Sequence, residues 1–176
     1  MGDRFLLVCV STAGAPASLR VQVWRKLRGL GALYLQQSAC LLPAREQPIR
    51  EVGRLLDRVR AQGGTGRVVT IEVPDEGEYA ALVADFNAAR DAEYAEVCAR
   101  TPAMLAEIDT ETSRGRATYA EVEESEADLD RYRGWLSKII ARDHFGAPGR
   151  MAAEAAVTQC AQALATFEAT AVAADS

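Results

Sequence analysis

Apolar positions change their rhythm near residue 75. Before it, strand-like runs alternate with helical stripes; after it, only helical stripes remain. Arg4–Ser11 is short, nearly continuously apolar and rich in β-branched residues, the pattern of a buried central strand. Gly14 and Pro16 then open a helix, since proline tolerates the first helical turn. In it Leu19, Val23, Leu27 and Leu30 recur at spacings of four and three and share one face. The phase buries Val23 and Leu27 and leaves Trp24 partly exposed. Gly31 supplies the left-handed stop. Ala32–Pro43 has strand character on both sides of Gln36-Gln37-Ser38, so it reads as two short strands at a tight bend, or one strand with a bulge. A second helix follows with Ile49, Val52, Leu55, Leu56 and Val59 as its buried stripe, ended by Gly63-Gly64. Arg67–Val73 is the next strand, closed by Pro74.

The order β-α-β-β-α-β is the ferredoxin-like α+β plan, two helices on one face of a mainly antiparallel sheet. It predicts an α+β domain over residues 1–74 and an α-helical C-terminal extension over 75–176. In the extension, Asp75 with Glu78 and Thr118 with Glu121 have capping-box spacing. Tyr79, Leu82, Val83, Phe86, Tyr94 and Val97 mark one helix to about Arg100, and Thr101-Pro102 restarts a shorter one carrying Met104, Leu105 and Ile108. Val122, Leu129, Tyr132, Leu136 and Ile139 define a long helix. Gly146–Gly149 turns the chain into an alanine-rich last helix, whose Cys160 and Leu164 should pack antiparallel against Leu136 and Ile139.

Charge sharpens the division. Residues 1–74 hold eleven Lys/Arg against five Asp/Glu, a balance of +6, and residues 75–176 hold nine against twenty, a balance of −11. Four well-separated cysteines, no CxxC and one histidine argue against a structural zinc site and a disulfide framework. No apolar run approaches the roughly 20 residues of a membrane span, and the start lacks a signal-peptide cleavage site. The expectation is a cytoplasmic protein with no membrane partner, no metal and no cofactor.

Leu19–Pro43 (LRVQVWRKLRGLGALYLQQSACLLP), Glu121–Asp130 (EVEESEADLD) and Ala141–Arg150 (ARDHFGAPGR) together resemble the amino-terminal domain of the ChrB chromate resistance regulators. The basic helix and Gln-Gln-Ser hairpin are more distantly similar to the small ferredoxin-like CRISPR adaptation proteins and to the central part of PaaX-type repressors. The resemblance implies a DNA-associated regulator of chromate efflux. Members of the family commonly continue into a carboxy-terminal domain, whereas this sequence stops at Ser176, so it reads as a stand-alone copy.

The candidate contact residues are basic. Arg20, Trp24 and Arg28 lie at i, i+4 and i+8 on the first helix, flanked by Arg25 and Lys26, and Arg50, Arg54 and Arg58 repeat that spacing on the second. Two such stripes on one side of a sheet would form a surface for phosphate or another oxyanion. They also suit a solvated face with some arginines paired to Glu51, Asp57 or the acidic second half, or docking against the chain's own acidic helices. Glu121, Glu123, Glu124, Glu126, Asp128 and Asp130 complement a helix N-terminus and read as a solvated face. His144, at a helix end, reads as a cap rather than a general base. Val10–Gly14 carries no carboxylate to hold a nuclease metal, Gly63–Gly66 runs helix-to-strand unlike a phosphate loop, and Cys9 and Cys40 read as core residues. With no catalytic motif, three functions stand. They are a ChrB-like regulator contacting DNA or a DNA-bound partner, an accessory or catalytic subunit of a biosynthetic pathway handling an oxyanion-bearing substrate, and an interaction module with a protein partner or second copy.

Overall fold

A computed structural model describes residues 4–115 and 117–174. Met1–Asp3, on which the reading of the chain's start partly rests, and Ser176 lie outside them. The elements run β1 (Phe5–Ser11), α1 (Ala17–Gly29), β2 (Leu33–Gln36), β3 (Ala39–Pro43), α2 (Glu46–Ala61), β4 (Thr65–Ile71), α3 (Glu76–Ser113), α4 (Tyr119–Ala141) and α5 (Arg150–Ala174). The sheet order is β2-β3-β1-β4 and every neighbouring pair is antiparallel. This is the ferredoxin-like arrangement, followed by helices.

The chain forms two compact units: residues 1–86 with 142–145, and residues 87–141 with 146–176. In the first, alternation along β1 separates two apolar layers. Leu6 and Val8 point to one face, where Leu19, Val23 and Leu27 of α1 and Val52, Leu56 and Val59 of α2 cover them. Burying each such side chain contributes roughly 1.5–3 kcal/mol. Phe5 and Leu7 point to the other face, where Phe5 and Leu41 pack with Leu82 and Phe86 from the start of α3 and with Phe145.

Of the two readings of the hairpin, two strands at a tight bend holds and a single bulged strand does not: β2 and β3 are separate, with a register slip between Tyr34 and Gln36. The stripe of α2 begins at Pro48, which is buried, rather than at Ile49, which is 51% exposed. β4 begins at Thr65, two residues earlier than the β-branched run suggests. Cys40 is buried as expected but Cys9 is exposed, because odd positions at this end of β1 point away from the layer under α1 and α2.

The ends of α1 and α2 share one device. Gly31 has φ +82° and donates to the Arg28 carbonyl, while Ala32 donates to that of Leu27. Gly63, at φ +85°, and Gly64 do the same for Arg60 and Val59. Both are Schellman motifs, in which glycine alone takes the left-handed position without strain.

In the second unit, α4 and α5 contribute Leu136, Ile139, Cys160, Leu164 and Phe167 to one core, joined by Tyr94, Val97, Met104 and Ile108 of α3. The break expected at Thr101-Pro102 does not occur; α3 continues through Pro102. Proline cannot donate to the carbonyl four residues back. That carbonyl belongs to Cys98, and the Thr101 hydroxyl donates to it at 3.3 Å. The two expected N-caps form, Asp75 Oδ1 accepting from Glu78 N–H at 2.7 Å and Thr118 Oγ1 from Glu121 N–H at 3.3 Å.

Candidate functional site

The basic side chains on α1 and α2 fall into three settings. Lys26 forms an ion pair with Glu51 of α2. Arg54 reaches the same carboxylate at 3.2 Å, and Arg50 lies 4.0 Å from both Glu51 and Glu46. Three cations from two helices therefore gather on one carboxylate. The Lys26 ammonium, hydrogen-bonded to it, and then Arg54 and Arg50 hold the Glu51 carboxyl below its ordinary value. The second setting is a stack: the Arg28 guanidinium sits 5.0 Å from the centre of the Trp24 ring, a cation–π contact at exposed side chains. Trp24 is 46% exposed while Val23 and Leu27 are buried, as the helix phase requires. Third, Arg25 and Arg58 are exposed, with no acidic partner among the described residues.

Arg20 is set apart. Its Nε lies 3.5 Å from the Thr12 hydroxyl, and with Trp24 it borders a cleft of about 810 Å³. The cleft runs between α1, the end of β1 and the β2–β3 hairpin. Val8, Val10, Val23 and Leu27 line it with Tyr34 and Cys40; Ser11, Thr12, Gln37 and Ser38 are its polar members. The Val10 N–H donates to the Ser38 carbonyl at 2.9 Å, holding the hairpin turn against β1. Burial, with a smaller contribution from Cys40, pushes the Tyr34 phenol up to about 12, and burial likewise pushes the Cys40 thiol up to about 12. From the sequence, Cys40 reads as core and Val10–Gly14 as a segment lacking a carboxylate; nothing local reveals that they share a cavity with Tyr34.

His144 does cap a helix, though not the one it follows. Its Nε2 lies 2.7 Å from the carbonyl oxygen of Leu30, the C-cap residue of α1. Arg45 donates to the His144 carbonyl at 2.9 Å, and its guanidinium lies 5.7 Å from the Phe145 ring. The acidic residues of α4 are partly neutralised within their own helix, Asp130 by Arg133 at 3.5 Å and Asp128 by Arg131. Among the described residues, no group of three or more His, Cys, Asp or Glu side chains is arranged to hold a metal ion, and no helix is long and apolar enough to cross a membrane.

A family model described as "Protein ChrB, N-terminal" matches residues 20–176, and the chain belongs to that family. Neither a curated protein nor a solved structure matches it.

Proposed function

We propose that this ChrB-family chain is a regulatory protein of the chromate-resistance type that contacts DNA, or a partner bound to DNA, through the basic faces of α1 and α2. The observation that carries the reading is the gathering of Lys26, Arg50 and Arg54 on the single carboxylate of Glu51. Across α1 and α2 eight Lys/Arg stand against three Asp/Glu, so the two helices keep a clear positive excess after that pairing. The shared carboxylate restrains three long side chains and lowers the entropy lost when they meet a phosphate backbone. Arg25, Arg28 and Arg58 extend the same cationic character along both helices, and phosphates reward it through release of counterions. Family membership supplies the regulatory context, and the arginine faces supply the chemistry of contact.

Electrophoretic retardation of DNA from the region upstream of the chain's own coding sequence tests the reading. Retardation at lower protein concentration than for an unrelated duplex of equal length supports it. Absence of retardation of either duplex at low salt would remove it.

A further inference from the structure

We infer that the cleft between α1 and the β2–β3 hairpin is a binding site for a small carboxylate with a flat apolar body. The inference goes beyond the proposed DNA contact and does not depend on it.

Size comes first. At about 810 Å³ the cleft lies within the roughly 300–1,000 Å³ range of small-molecule sites, and it is far larger than a lone tetrahedral oxyanion needs. Its walls are apolar: Val8 and Cys40, each 1% exposed, form the floor, and Val10, Val23 and Leu27 the sides. Two aromatic rings, those of Trp24 and Tyr34, come from different elements, giving broad surfaces for a flat molecule. Val21 and Trp24, both 46% exposed, continue the apolar surface to the rim.

Charge then selects the head group. Among the described lining residues Arg20 is the one charged side chain, and no aspartate or glutamate joins it. Its neighbour is the Thr12 hydroxyl at 3.5 Å, a long contact that leaves guanidinium N–H groups for a ligand. A carboxylate matches that planar donor fork in a way a neutral group does not. The Tyr34 hydroxyl has no hydrogen-bond partner among the described residues and provides a further donor. An apolar body with one anionic head is therefore the complementary ligand, and a cation would meet Arg20 unpaired.

The test uses the full chain and two isosteric probes, 2-naphthoate and 2-naphthamide, followed by calorimetry and by the Trp24 indole N–H resonance, assigned with a Trp135→Phe variant. The expected result is saturable one-to-one binding of naphthoate, a shifted Trp24 resonance, and binding of the amide weaker by about tenfold or more. Arg20→Gln should lower naphthoate affinity to that of the amide while leaving the amide unaffected. Ala13→Phe, at the exposed mouth, should weaken both probes. Unchanged melting temperatures would show that both variants fold. No saturable binding at millimolar probe would overturn the site. Equal binding of both probes, or naphthoate binding indifferent to Arg20→Gln, would overturn the carboxylate assignment.

Discussion

His144 Nε2 and the Leu30 carbonyl oxygen meet at 2.7 Å although 114 residues separate them in sequence. A carbonyl only accepts, so the hydrogen lies on Nε2 and the imidazole donates. The Schellman motif at Gly31 provides for the carbonyls of Leu27 and Arg28, and His144 takes that of the C-cap residue Leu30. The approach is close: a side chain at Gly31 would place its Cβ 2.6 Å from the Arg142 carbonyl oxygen and 3.1 Å from His144 Nε2.

The contact has a measurable consequence. His144→Ala should lower unfolding free energy by about 0.5–1.5 kcal/mol, the net worth of one hydrogen bond, with somewhat more if the carbonyl is left dry. Urea denaturation monitored by far-UV circular dichroism checks this. His144→Gln, which retains an N–H donor, should recover part of the loss, and a stability unchanged in His144→Ala would show that water replaces the imidazole at no cost.

The thiols should separate by exposure. Cys9 is exposed, Cys98 half-buried, and Cys40 and Cys160 buried. Burial raises the Cys160 thiol and takes that of Cys40 to about 12, so neither presents thiolate near neutrality. A disulfide reagent at pH 8 should therefore react fastest at Cys9, a phase lost in Cys9→Ser, leave Cys40 and Cys160 unmodified in the folded chain, and give all four equivalents in denaturant. A fast phase surviving Cys9→Ser but lost in Cys9→Ser/Cys98→Ser would assign it to the half-buried Cys98, and one surviving both changes would contradict the burial of Cys40 and Cys160.

Much of the first unit was legible because its signals are local. The spacing of Leu19, Val23 and Leu27 gives the buried face of α1, and Gly31 gives its end. The failures have physical causes. Pro102 breaks a helix when its orphaned carbonyl lacks a donor, and the Thr101 hydroxyl supplies one. Ile49 and Pro48 are adjacent, and backbone phase alone decides which faces the core. Cys9 sits in an apolar run, but this end of its sheet face is uncovered. The partner of His144 caps the end of α1, across a separation no sequence period encodes. On the basic faces, the i, i+4 spacing brings Arg28 to Trp24 as a helix must, and pairing of α2 arginines with Glu51 is also legible, whereas the arrival of Lys26 from α1 on the same carboxylate depends on packing between helices. The cleft is of the same kind, since four separate elements build it.

Glu51 should leave an acid-side signature. Its carboxyl is held below the ordinary 4.5, chiefly by Lys26. A carboxylate depressed in the folded state favours folding above its unfolded value, and that contribution disappears as pH falls through the lower, folded value. Unfolding free energy of the wild type should therefore fall more steeply as pH drops below 4.5 than that of Glu51→Gln. Parallel pH profiles would show that the three cations do not act on this group.

The central claim is that the arginine faces of α1 and α2 meet phosphate, and the salt dependence of DNA affinity in Arg50→Glu/Arg54→Glu tests it most directly. Both side chains are exposed and their pairs with Glu51 are surface ion pairs, which contribute little to stability. Melting temperature should change only slightly. If both arginines contact phosphate, affinity should drop and the slope of log K against log salt should flatten by about two, roughly 0.9 per lost contact on duplex DNA. An affinity and slope equal to those of the wild type would contradict the account and leave these faces as solvated charge.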